Sequence, residues 1–263
     1  DLERLPRLVV SETDLMDCEQ IANGTYSPLK GFMDKETLKA VLEEYCLPEG
    51  PSWTLPVVLQ AAVDAVDGFG AGESIALTSE AGTVHAVMDV SEIYPFDFKE
   101  FATKCFGTAS KDHPGVARLA RGGDRLVAGP ITQVEPLASM HQHYELSPRQ
   151  TRFIFTHKGW NRVVGFHTRN PAHRVHEYLQ SEALERTGAD GLYVSPVIGP
   201  KKEGDFLPGP IMRSYQALIE SGAYPAGKVI LGGFSTYSRY CGPREAVFTA
   251  LCRKNMGCSH FII

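Results

Sequence analysis

From about Ser147 onward the chain alternates short apolar runs with amphipathic stretches, and this alternation restricts the fold more than any other feature. Ser147–His157 reads as a helix, and Arg162–His167 as a buried strand centred on Val163-Val164-Gly165-Phe166. Pro171–Arg186 reads as an amphipathic helix, Gly191–Ile198 as a strand, Pro210–Glu220 as a helix and Val229–Gly232 as a strand. Pro243–Asn255 reads as a helix closed by Gly257, and His260–Ile263 opens a further strand. Strands alternating with helices of this length imply βαβ units and a parallel sheet. In such sheets ligands bind beyond the carboxyl ends of the strands.

The first half of the chain has a different grammar. Between residues 52 and 135, short apolar stretches (Trp53–Val63, Ser74–Leu77, Val84–Val90, Arg125–Val134) are broken by Gly68, Gly70, Gly72, Gly82, Gly122 and Gly123. Short strands with dense turn signals predict a β-rich or α+β unit. Asp34–Tyr45 reads as a helix with Leu38, Val41 and Leu42 on one face. The change of grammar divides the chain into domains at 1–146 and 147–263, and 263 residues suffice for two modest domains.

Composition removes several classes. With 43% hydrophobic and 22% charged residues, the chain is a globular protein rather than a disordered one. No apolar run approaches the roughly 18 residues of a membrane span. A net charge of −5 argues against a general nucleic-acid binder. The six cysteines, at 18, 46, 105, 241, 252 and 258, form no CxxC pair, which predicts reduced thiols and a cytoplasmic setting. Cys258 and His260 are only two apart, so a structural cysteine is expected there rather than zinc. The chain starts Asp1-Leu2-Glu3-Arg4, without Met or a signal pattern, and stops inside an apolar strand; both ends suggest a piece of a longer protein.

Charge is unevenly placed. From Leu146 to His176 there is no Asp or Glu, while Arg149, Arg152, Lys158, Arg162, Arg169 and Arg174 accompany His157, His167, His173 and His176. A solvated basic face would account for this, but the predicted geometry favours an anion site. Thr168-Arg169-Asn170 is the turn at the carboxyl end of the predicted strand. Pro171 is expected at the first helical position, with Asn170 as cap. Unpaired backbone N–H groups and the positive helix end would then face the ligand position. His173 and His176 are three apart, so they share a helix face. Packing or a zinc pair are the other readings of two such histidines, but zinc favours an i, i+4 pair with a nearby Glu. A second turn, Arg239-Tyr240-Cys241-Gly242-Pro243-Arg244-Glu245, precedes another helix with Pro in its first turn. Gly199-Pro200-Lys201-Lys202-Glu203-Gly204-Asp205 is a Gly-bounded loop without P-loop spacing, in which both lysines read as solvated.

The run Val163-Val164-Gly165-Phe166-His167-Thr168-Arg169-Asn170-Pro171-Ala172-His173-Arg174-Val175-His176 resembles the QxRNxxHxxH signature of the ATP sulfurylase family. Ser27-Pro28-Leu29-Lys30-Gly31-Phe32 is similar to its SPLxGF segment, Lys158-Gly159-Trp160 to its KGW, and Gly199–Asp205 to its GxxKxGD loop with Lys202 at the Lys position. Gly242-Pro243-Arg244-Glu245-Ala246, Arg253-Lys254-Asn255 and His260-Phe261-Ile262 resemble its GPREA…RKNxGxxHFI run. The likeness covers nearly the whole chain in the family's order. Two departures stand out. His167 occupies the first signature position, where the family carries Gln, and this would make the site's charge pH-dependent. The family continues after HFI with a GRDHAG-like loop that contacts the nucleotide, and that loop is absent from these residues.

The resemblance implies a PUA-like N-terminal domain and a Rossmann-like nucleotidyltransferase domain that is incomplete at its C-terminus. It implies adenylyl transfer from ATP to sulfate, in the assimilatory direction or in reverse during sulfur oxidation. Arg169, Asn170, His173, His176 and Arg239 are the implied catalytic residues, and His167, Thr168, Arg169, Lys202 and Arg244 the implied substrate contacts. Mg²⁺ would arrive with ATP, held by substrate and water rather than by a protein metal site. The implied partners are ATP, sulfate, adenosine 5′-phosphosulfate and pyrophosphate, with no nucleic acid or membrane, in a homo-oligomer, specifically a dimer. Two competing readings are a related nucleotidyltransferase acting on another oxyanion and a non-catalytic nucleotide- or RNA-binding homologue.

Overall fold

The computed structural model describes residues 2–263. In chain order its elements are β1 (Arg7–Val9), α1 (Glu12–Ala22), β2 (Gly31–Phe32), α2 (Lys35–Glu44), β3 (Leu59–Ala61), β4 (Ser74–Thr78), β5 (Val84–Asp89), β6 (Glu92–Pro95), α3 (Phe98–Phe106), α4 (Pro114–Leu119) and β7 (Arg125–Gln133). There follow α5 (Pro148–His157), β8 (Val163–Thr168), α6 (Arg174–Thr187), β9 (Gly191–Pro196), α7 (Pro208–Glu220), β10 (Val229–Leu231), α8 (Pro243–Asn255) and β11 (His260–Ile262). The chain forms two compact units. One takes the chain up to Ala22, Ser27–Leu137 and Arg239–Phe248; the other takes Asn23–Tyr26, Ala138–Ser238 and Thr249–Ile263.

The first unit is built on the long strand β7, which pairs with β2, β3, β5 and β6. β3 and β6 pair with its first half and β2 and β5 with its second. Gly129 sits where the partners change, at φ +152°, and a Cβ there would stand 2.0 Å from the Asp89 carbonyl oxygen. Only glycine admits that approach. α2 starts at Asp34, whose carboxylate accepts from the Thr37 N–H, and ends at Tyr45 in the left-handed region, matching the helix read from the sequence. Leu38, Val41 and Leu42 are its buried face.

The second unit is a parallel sheet of order β10-β9-β8-β11, as the strand–helix alternation predicts. From β8 the chain steps to β9 and then β10, whereas β11 lies on the other side of β8. The order therefore reverses at β8, which makes its carboxyl end the ligand position of this topology. Residues 138–146 are tied to this unit by the Glu145–Gly233 bridge and by the Tyr144 hydroxyl donating to Gln216.

The sheet has two unlike faces. Val164, Phe166, Leu192 and Val194 point to a core completed by Ile211, Tyr215 and Tyr224. The alternate residues point the other way, and in register Gly165 faces Tyr193 and His167 faces Ser195. A Cβ on Gly165 would meet the Arg253 side-chain carbons at 3.3 Å and Cys258 Sγ at 3.2 Å. The missing side chain thus lets α8 lay Arg253 directly against β8.

Candidate active site

The strand end is shaped first by its turn. Thr168 is buried, and its hydroxyl oxygen accepts from the Asn170 N–H at 3.1 Å. The N–H of Ala172 donates to Ser214 Oγ of α7 at 2.9 Å. These bonds hold Asn170–Ala172 outside the helix. α6 begins at Arg174, with His173 as its N-cap in extended conformation and no side-chain cap bond. The expectation of Asn170 as cap and Pro171 at the first helical position is therefore corrected. The Thr168 hydroxyl within the turn and Ser214 from α7 engage these N–H groups, and the helix starts three residues later than the proline suggested.

The histidine pairing survives this shift. His173 at the cap and His176 in the first turn have ring centroids 3.7 Å apart at an interplanar angle of 30°. The His176 ring meets Phe166 edge-on at 5.2 Å, and its Nδ1 lies 3.0 Å from the Tyr215 hydroxyl. Burial, and then the neighbouring His173, push the His176 pKa down. Arg169 and Asn170 are exposed at the turn ahead of the pair.

His167 lies on the opposite face of β8. Its Nδ1 is 2.8 Å from Arg253 Nη2, and its ring meets Phe234 edge-on at 6.1 Å. Burial, then Arg253 and then Lys201, hold its pKa well below the ordinary 6.5. The expected pH-dependent charge is thereby corrected: the ring is neutral across the neutral range, because low dielectric and two cations oppose a third positive charge.

The loop after β9 contributes a residue that the sequence reading left in solvent. Lys201 is partly buried, donates to the Val197 carbonyl at 2.9 Å, and has its pKa lowered to about 8 by burial, with Asp205 opposing and Arg169 reinforcing the shift. Lys202, the loop residue chosen by resemblance, is exposed. Adjacent lysines carry no pattern that tells them apart. Arg253, likewise passed over as a site residue, is legible in sequence only as part of the RKN run.

Two arginines expected at the site are committed elsewhere. Arg239, 6% exposed in the first unit, is ion-paired with the buried Asp17, and its guanidinium lies 5.2 Å from the centroid of the Phe248 ring. Arg244, 8% exposed in the same unit, donates to the carbonyls of Val41, Thr54 and Leu42 at 2.7–3.1 Å and stacks on Tyr45. The substrate role expected of Arg244 gives way to a structural one, because its donors already have carbonyl partners. Arg239 has a carboxylate partner that neutralises its charge. Among the described residues, no three His, Cys, Asp or Glu side chains gather as a metal site.

The carboxyl end of β8 therefore carries a neutral imidazole backed by a buried guanidinium on one face and a close, tilted histidine pair on the other, with an exposed arginine in the turn and a half-buried lysine in the loop after β9. With cationic and imidazole side chains at the carboxyl end of the strand where its order reverses, the second unit belongs to the class of open α/β folds that place their ligands at such strand ends. The comparisons make this class specific. Residues 1–136 match the model of the PUA-like domain, and residues 142–263 match that of ATP-sulfurylase. A sulfate adenylyltransferase of Symbiobacterium thermophilum is 42% identical over 99% of this chain and 65% of its own length. One of Hyperthermus butylicus is 39% identical over 100% of this chain and 67% of its own length. A solved structure described as a hexameric APS kinase from Thiobacillus denitrificans superposes with a TM-score of 0.79 at 22% identity, covering 99% of this chain and 48% of that one, which speaks to fold alone. The chain belongs to the sulfate adenylyltransferase (ATP sulfurylase) family, with a PUA-like domain ahead of its ATP-sulfurylase domain, and spans about two thirds of the length of these relatives.

Proposed function

We propose that the strand end of β8 carries adenylyl transfer between ATP and sulfate. A sulfate oxygen attacks the α-phosphorus, the α–β anhydride bond breaks, and pyrophosphate leaves. The products are adenosine 5′-phosphosulfate and pyrophosphate, and the same residues serve the reverse reaction. No covalent intermediate is required; the chemistry needs two anions held together and charge stabilised on the leaving group. Arg169 takes the sulfate with the His167 Nε2–H beside it. His173 and His176 take the phosphates and the departing pyrophosphate. Asn170 orients the α- and β-phosphates, Thr168 shapes the turn, and Lys201 or its neighbour Lys202 adds charge from the adjacent loop.

Mg²⁺ enters as part of the nucleotide substrate, which suits a strand end rich in cations and N–H donors. The observation that carries the proposal is that His167, Arg169 and the His173–His176 pair follow one another from the carboxyl end of β8, the strand where the sheet order reverses, into the first turn of α6, with His167 and the pair on opposite faces of the strand. A homodimer in the cytoplasm belongs to the same reading; light scattering on the purified protein tests the dimer. Among the described residues no helix is long and apolar enough to cross a membrane.

The test is pyrophosphate release from Mg·ATP with sulfate against a panel of other oxyanions, molybdate included. Sulfate-dependent release, and futile ATP cleavage with molybdate through an unstable mixed anhydride, is the expected result. ATP turnover indifferent to sulfate would overturn the assignment.

A further inference from the structure

We propose that Arg253 is a positioning residue for the oxyanion: its Nη2–H holds His167 in the one tautomer that leaves Nε2–H as a donor at the strand end. This rests on the proposed function of the same site. A guanidinium has five N–H donors and no acceptor, so a ring nitrogen 2.8 Å from Nη2 must present a lone pair. The proton of a neutral ring then resides on Nε2. A proton on Nδ1, in either the other tautomer or the imidazolium, would oppose N–H to N–H.

Arg253 is itself held so that it cannot turn away. It is 0% exposed, its guanidinium lies 4.3 Å from the centroid of the Phe234 ring, and Nη2 also donates to the Ser195 carbonyl at 3.1 Å. Its Nε and Nη1 have no hydrogen-bond partner. No carboxylate is among its described partners, so a full positive charge lies buried behind the imidazole without a counter-ion. A buried unpaired charge is costly and is kept where it acts. The groups facing His167 are Arg253 from α8, Lys201 from the loop after β9, Ser195 in register on β9 and Phe234 after β10. None is acidic. An arriving oxyanion supplies the missing negative charge, and the fixed Nε2–H is its hydrogen-bond donor. The amide that the family carries at this position can make the same two bonds, its oxygen accepting from Arg253 and its NH₂ donating outward.

The experiment is long-range proton–nitrogen NMR on the intact protein labelled with ¹⁵N-histidine, the His167 signals being assigned by their loss in His167→Gln. The expected spectrum shows His167 as the neutral Nε2–H tautomer throughout pH 6–8. An Nδ1–H tautomer, or a cationic ring at pH 7, overturns the proposal. In Arg253→Met the ring should exchange between tautomers and titrate nearer to 6.5. The KM for sulfate should then rise about tenfold and become pH-dependent below pH 7, while kcat at saturating sulfate changes less. The double variant Arg253→Met/His167→Gln should lose that pH dependence. A fall in Tm with the tautomer and the KM profile unchanged would reduce Arg253 to a packing residue. Sulfate-dependent turnover by the unsubstituted protein is measured separately, so failure of the proposed function is distinguishable from failure of the tautomer assignment.

Discussion

Two regions of this chain bury guanidinium groups and use them in opposite ways. In the first unit Arg239 faces the Asp17 carboxylate and Arg244 is surrounded by three backbone carbonyls. In the second, Arg253 is fully buried with an imidazole, one carbonyl and an aromatic face, and two of its nitrogens have no partner. A compensated buried cation cross-links its surroundings. An uncompensated one projects a field, and here it lies behind the strand end where the sheet order reverses. The presence of an arginine in a family-like motif is therefore a weaker guide to anion binding than the state of its counter-charges.

The largest effect is expected at Asp17. Asp17→Ala leaves Arg239 buried without its carboxylate, and removing one partner of a buried pair typically costs about 3–5 kcal/mol. Urea unfolding should show a loss of that order; a loss below about 1 kcal/mol would mean that the pair is solvated rather than structural. Arg169→Ala should leave the unfolding midpoint almost unchanged and lower adenylyl transfer by roughly 100-fold or more, since it removes charge stabilisation from an exposed turn. Steady-state pyrophosphate release measures this, and near-normal turnover would remove Arg169 from the mechanism.

Gly165→Ala sharpens the contrast from the other side. Its Cβ would press on the Arg253 side chain at 3.3 Å and on Cys258 Sγ at 3.2 Å. Overpacking of this kind costs about 1–3 kcal/mol and should shift Arg253 relative to His167. The measurable outcome is lower stability together with a weakened response to sulfate; loss of stability alone would separate the Gly165 contact from the anion site. The smallest effect concerns pH. The Lys201 pKa is lowered to about 8, so its charge is present below that value and is lost as pH rises through it. The KM for sulfate should rise above about pH 8, and Lys201→Arg should move the rise to higher pH. An identical profile in the two proteins would exclude Lys201 as the source.

Much of the architecture is legible in local pattern. α2 runs between Asp34 and Tyr45 as its apolar face predicts, and α5 occupies the Ser147–His157 stretch, where Ser147 makes a capping box with Gln150. The β8–α6–β9–α7–β10 succession follows from apolar runs and helical periodicity, and the HxxH spacing alone brings His173 beside His176. The start of α6 is not legible in the sequence, because a proline after Asn resembles a helix entry, whereas Thr168 and Ser214 offer the backbone other partners. Ser214 is 42 positions from the N–H it accepts, so no local reading could include it.

The strand–helix order of the second half, the carboxylate-free basic segment and the family signature are legible in the sequence, because each depends on residues within a few positions of one another. Tertiary structure alone decided which cations are neutralised and which remain bare. His167 and Arg253 are 86 positions apart, and Asp17 and Arg239 are 222 apart. Whether a buried guanidinium meets a carboxylate, a carbonyl or an imidazole depends on strand register and helix packing, which bring together groups whose separation along the chain carries no trace of their contact.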